Sequence, residues 1–135
     1  MNDRFKFRVF LKAHNQMCNV HTLHTGTNKV IISTRYGNSS VQINDYNILM
    51  QCTGLKDKNG KLIYEGDVLY ENMINTVFPK GKYWIVEWNN NNAQFFIELI
   101  NKTGNSLTDT WHLARHNLDY EVIGNIYENK ELLDE

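Results

Sequence analysis

The feature that most constrains this chain is a period of two in its apolar residues. Charged and apolar side chains alternate through Arg4-Phe5-Lys6-Phe7-Arg8-Val9, and alternation of this kind puts the two sets on opposite faces of a strand. Phe5, Phe7, Val9 and Leu11 are expected to face a core, with Arg4, Lys6, Arg8 and Phe10 on the other side. The same period returns in Tyr83-Trp84-Ile85-Val86-Glu87-Trp88. A polar loop at Asn89 to Asn92 and the run Gln94-Phe95-Phe96-Ile97-Glu98-Leu99-Ile100 follow it. Two aromatic-rich strands joined in this way predict a hairpin held by cross-strand pairs.

Further strands are expected at Lys29-Val30-Ile31-Ile32-Ser33 and Ser40-Val41-Gln42-Ile43, around a turn at Tyr36-Gly37-Asn38-Ser39, and again at Val68-Leu69-Tyr70 and over 120–127. The stretch 17–30 is polar with a weak pattern before Lys29, and 46–51 fits either a strand or a helical turn. Thr53 to Gly60 reads as a loop, because Asn59-Gly60 supplies the positive φ angles of a tight turn, and Glu65-Gly66-Asp67 reads as a bend. Leu107, Trp111, Ala114 and Leu118 lie at helical spacing behind Thr108 or Asp109 as N-cap, which predicts one short helix. Asn129 is expected to cap a final helical turn.

With 135 residues the chain is expected to be one compact domain, mostly β, built as two small packed sheets or barrel-like halves of about residues 1–50 and 51–135. Fourteen Lys and Arg against fifteen Asp and Glu leave a net charge of -1, which argues against bulk polyanion or anionic lipid as the main partner. No apolar run approaches the ~20 residues that span a bilayer, and the alternating start is unlike a signal-peptide core. The reading is therefore a cytoplasmic protein without a membrane partner, with Cys18 and Cys52 reduced.

Chemistry-bearing residues are sparse. His112 and His116 would share a helix face, but no Glu follows His112 and no third ligand is near in sequence. Cys18, His21 and His24 would point to alternating faces of a strand, so no metal site is read there. Asp57, Glu65 and Asp67 fit turns better than acid–base work, and no phosphate loop, dinucleotide fingerprint or nucleophile elbow is present. No catalytic residue, metal or cofactor is expected. Arg4, Lys6 and Arg8, with Lys56, Lys58 and Lys61, could contact a nucleic acid, although solvated strand faces and guarded edges carry the same residues.

The segment Leu49-Met50-Gln51-Cys52-Thr53-Gly54-Leu55-Lys56-Asp57-Lys58-Asn59-Gly60-Lys61-Leu62-Ile63-Tyr64-Glu65-Gly66-Asp67 resembles the signature of the YopX family. Lys6-Phe7-Arg8-Val9-Phe10 resembles the family's opening and Glu121-Val122-Ile123-Gly124-Asn125-Ile126-Tyr127-Glu128-Asn129 its close. Cys52, Phe10 and Leu62 depart from the usual residues, in ways that bear on packing. The resemblance implies a mostly β protein encoded by a phage or prophage, such as the SPbeta prophage region of Bacillus, in a family with no accepted catalytic residues to carry over. Gly54, Asp57, Gly60, Gly66, Asp67, Gly124 and Asn125 then read as architectural turns. The expected function is that of a non-enzymatic accessory protein acting by protein association, as a homo-oligomer or with a phage or host protein. A nucleic-acid-binding module is the alternative, and an enzyme the third reading.

Overall fold

The computed structural model describes residues 2–100, 106–113 and 117–133, without the side chains of 106–112. Among the described residues the strands are β1 (Phe7–Leu11), β2 (Gln16–His24), β3 (Lys29–Thr34), β4 (Gly37–Gln42), β5 (Asn47–Lys56), β6 (Leu62–Tyr64), β7 (Asp67–Glu71), β8 (Lys82–Asn89), β9 (Gln94–Ile100), β10 (Ser106–His112) and β11 (Glu121–Asn125). They form two open antiparallel sheets, in the orders β4-β3-β2-β1-β5-β6 and β10-β9-β8-β7-β11. The two small sheets that were expected are present, and neither closes into a barrel. The other elements named among the described residues are short 3-10 turns. By internal contacts the chain divides into two compact units, Met1–Cys52 and Thr53–Glu135, with the boundary inside β5.

In the first unit, β1 pairs with β2 through Val9↔Cys18 and with β5 through Val9↔Leu49. Val9, Leu11, Cys18, Val30 and Ile32 are buried together, with Val20, Leu23, Val41, Ile43 and Leu49 packed on them. Strand β1 starts at Phe7, later than the alternation suggests. Arg4 and Phe5 lie instead in a 3-10 turn (Asp3–Phe5) that the Asn2 side chain caps by accepting from the Arg4 N–H at 2.8 Å. Phe5 is consequently 54% exposed, while Phe10, expected to face away from the core, is buried. Strand β2 runs through the stretch whose polar pattern hid it, because its neighbours β1 and β3 supply the ladder that the sequence does not advertise.

The second unit is organised by the hairpin of β8 and β9, whose register Trp84↔Leu99 and Val86↔Ile97 sets four buried apolar residues on one face. Ile63, Leu69, Leu113, Tyr120 and Val122 join them in a single core. The Trp84 and Tyr120 rings lie 6.0 Å apart, and the Trp84 indole donates to Glu71 Oε2 at 3.1 Å. The short helix expected from Leu107, Trp111, Ala114 and Leu118 is corrected here. Ser106–His112 is strand β10, paired with β9 through Trp111↔Ile97 and His112↔Phe96. Asn117–Asp119 is a 3-10 turn in which Leu118 is 68% exposed, and Ala114 falls outside the described residues. A free strand edge with a complete ladder to offer outweighs a weak helical stripe. Asn129 precedes the 3-10 turn Lys130–Leu132, without a side-chain cap bond to it.

Candidate binding groove

The buried polar residues of the described chain are Thr53, Asp57, Asp67 and Asn125, and each accepts a hydrogen bond from backbone N–H. All four belong to the segments that carry the family signature. Strand β5 continues past the expected start of the loop, because Thr53 Oγ1 donates to the Ile63 carbonyl at 2.8 Å and accepts from the Leu55 N–H at 3.1 Å. The loop proper begins at Asp57. Its Oδ1 accepts from Asn59 and Lys61 N–H and its Oδ2 from Val122 N–H, each at 2.9 Å, so one carboxylate ties the β5–β6 turn to β11. Burial alone would raise the Asp57 pKa, but these N–H donors and the Lys61 charge outweigh it and hold the carboxyl below its ordinary value.

Asp67 Oδ2 accepts from Tyr64 N–H at 2.8 Å across the bend at Gly66. Gly66 itself has φ +82°, donates to the Val86 carbonyl and accepts from Ile126 N–H, both at 2.9 Å. A side chain there would be strained in the left-handed region. Asn125 Oδ1 accepts from Tyr127 and Glu128 N–H, while its own N–H donates to Asn129 Oδ1. Gly124 lets this turn close, since a Cβ on it would stand 2.5 Å from Asn129 Oδ1 and 2.8 Å from Leu132 Cδ1. Asp57 and Asp67, two of the carboxylates that drew attention in the sequence, thus hold backbone.

The basic residues singled out in the sequence fall in both units. Arg4 stands in the first 3-10 turn, its guanidinium 5.2 Å from the Phe5 ring centroid. Lys6 pairs with Asp3 at 2.9 Å, and Arg8 is half-buried in β1 opposite Met50. Lys56, Lys58 and Lys61 are exposed in the second unit, where Lys58 Nζ lies 3.9 Å from Glu121. Cys18 and Cys52 are buried thiols not joined to each other, and burial pushes the Cys18 thiol up. His21 is exposed, its Nδ1 2.7 Å from Thr22 Oγ1. His112 is described in backbone only, and His116 lies outside the described residues. Among the described residues no three His, Cys, Asp or Glu gather as a metal site needs, and no helix is long and apolar enough to cross a membrane.

An open concavity lies elsewhere, in the first unit, with a volume of about 1040 Å³. Its floor includes Leu11, Ile32 and Val41, and its walls are the 3-10 turn Lys12–His14, the β3–β4 hairpin and the turn before β5. Tyr36, at the hairpin tip, is 92% exposed and Tyr46, before β5, is 70% exposed. The Arg35 guanidinium sits 5.9 Å from the Tyr36 ring centroid, and Asn15, Asn38, Ser39 and Asn47 supply polar groups along the rim. Sequence reasoning missed this site. Its signal was two tyrosines set among Gly, Asn and Ser, and only the fold brings them to one concavity.

The two units also differ in charge. Met1–Cys52 holds six Lys and Arg against Asp3 and Asp45, a formal +4, whereas Thr53–Glu135 holds eight against thirteen acidic residues, a formal -5. The chain is thus a protein of two antiparallel sheets that carries a concave, aromatic and polar surface on its basic unit. The family model described as YopX protein matches residues 6–134, and the chain belongs to that family. It is similar to the crystal structure of protein EF1440 from Enterococcus faecalis, with TM-score 0.61 and 27% identity over 95% of this chain and 96% of that one. No curated protein matches the chain significantly.

Proposed function

We propose that the chain is a non-enzymatic accessory protein, phage- or prophage-encoded and acting in the bacterial cytoplasm, that works by protein association through the groove of its first unit. The observation that carries this reading is the exposure of Tyr36 and Tyr46 on one open concavity. Tyrosine offers a large, rigid, amphipathic contact at small entropic cost, and neighbouring Asn, Ser and Gly adapt their hydrogen bonds to a partner. The hydrogen bonds of Asp57 and Asn125 go to backbone and to Glu128, which fits a frame better than a reaction centre. Self-association fits the same picture, because the +4 unit of one copy attracts the -5 unit of another while like units repel.

A single-stranded nucleic acid is the second reading. Exposed tyrosines stack on bases, and the +4 unit, which includes Arg4, Lys6 and Arg8, attracts phosphate. The test is size-exclusion chromatography with light scattering and ultraviolet absorbance on protein purified from host cells, beside a Tyr36→Ala/Tyr46→Ala double variant. The expected result is an oligomer or a stoichiometric protein complex that the double variant loses while its circular dichroism is unchanged. A salt-labile nucleic acid as sole companion, or association indifferent to both tyrosines, would overturn the reading.

A further inference from the structure

The β3–β4 hairpin closes on the pair Thr34↔Gly37 across the two-residue loop Arg35-Tyr36, and its register then runs Ile32↔Ser39 and Val30↔Val41. In an antiparallel ladder closed by a two-residue loop these are the hydrogen-bonded pairs, so the N–H and C=O of Asn38 and Ser40 point away from β3. Strand β4 is the outermost strand of its sheet, and Asn38, Ser39 and Ser40 are exposed. The outward carbonyl of Gln42 accepts from Asn47 Nδ2 at 2.8 Å, which ends the open edge there. Four backbone groups on Asn38 and Ser40 therefore face solvent in an alternating donor–acceptor row. The sequence Gly-Asn-Ser-Ser-Val-Gln carries no charge and no Pro, the residues that ordinarily guard an edge strand.

We propose that the outer edge of β4 takes an extended acidic segment of another protein as an added strand, with alternate side chains of that segment lying in the groove. The proposal rests on the association reading above and says which atoms make the contact. Gly37, Asn38, Ser39 and Val41 line the groove, so the edge and the concavity are continuous. Half-buried Val41 offers an apolar contact to alternate residues of the incoming strand, above the buried Leu11 and Ile32. Arg35 stands at one end of β4 and Lys29 opposite Gln42 at the other, in a unit of formal charge +4 whose Asp3 is paired with Lys6. That charge selects an acidic segment and disfavours pairing of β4 with β4 of a second copy, which would set two +4 units edge to edge. A polynucleotide has no backbone N–H to meet the Asn38 and Ser40 carbonyls.

The probe is a fluorescein-labelled peptide alternating Glu and Val over about eight residues, followed by fluorescence anisotropy against the full chain. Ser40→Pro removes an outward N–H only, and Ser40→Ala keeps it. The expected result is binding by wild type and Ser40→Ala, weakened about tenfold or more by Ser40→Pro and by N-methylation of alternate peptide amides. The N-methylated peptide reads the same contact on the unaltered protein, whatever Ser40→Pro does to folding. Absence of binding, equal binding of the methylated peptide, or a dimer of the chain abolished by Ser40→Pro would each overturn the proposal. If Tyr36→Ala/Tyr46→Ala loses the cellular companion and Ser40→Pro keeps it, the groove reading stands and the edge reading falls.

Discussion

Asp57 accepts three backbone N–H groups while nearly wholly buried, and its removal is expected to leave those donors without a partner. Asp57→Ala should cost about 2–4 kcal/mol in urea unfolding, well beyond an ordinary surface change. Its folded pKa lies below the ordinary 3.8, so its contribution is full above that pH and is lost as the pH falls through the lower folded value. Asp57→Asn should therefore show a flatter acid limb than wild type. Glu87 runs the other way. Burial, then a hydrogen bond to Glu98 and the Glu98 charge, raise it from 4.5 to about 7, so stability declines as the pH rises across that window. Much of that effect is screened by solvent, and Glu87→Gln should gain about 0.5–1 kcal/mol above pH 7 and nothing below 4.5 in thermal melts.

At the scale of elements, what the sequence disclosed depended on how much of each strand's stability is local. The β8–β9 hairpin was legible because Trp84, Val86, Ile97 and Leu99 alternate cleanly on either side of a polar loop. Strand β2 was not, since Asn19, His21 and His24 occupy exposed positions and its pairing comes from distant neighbours. Strand β10 read as helix for the same reason: its partner β9 lies earlier in the chain and local spacing is silent about it. The groove was invisible because residues 11–16 and 32–47 meet only after β1, β3 and β5 have paired through their neighbours. Edge geometry makes a sharp prediction. Ser39→Pro breaks the bonded pair with Ile32 and should cost about 3 kcal/mol, while Ser40→Pro should stay within about 1 kcal/mol, both by chemical denaturation. Equal losses would place the outward row on the wrong residues.

For the whole molecule, a net charge of -1 conceals a +4 unit and a -5 unit, and that division governs how the chain meets anything charged. The total is a sum over both units and describes neither of them. Arg35→Glu lowers the first unit from +4 to +2 and does so beside Tyr36, at the tip of the hairpin that walls the groove. Screening shortens from about 10 Å at 0.1 M salt to about 3 Å at 1 M, so a charge-steered association must weaken with ionic strength. Arg35→Glu should therefore slow association with the acidic peptide several-fold at low salt, chiefly in the on-rate, and match wild type at 1 M salt. Stopped-flow anisotropy at the two salt concentrations separates this from a packing defect. A defect in packing would persist at 1 M salt and appear in the off-rate, because salt does not repair a lost contact.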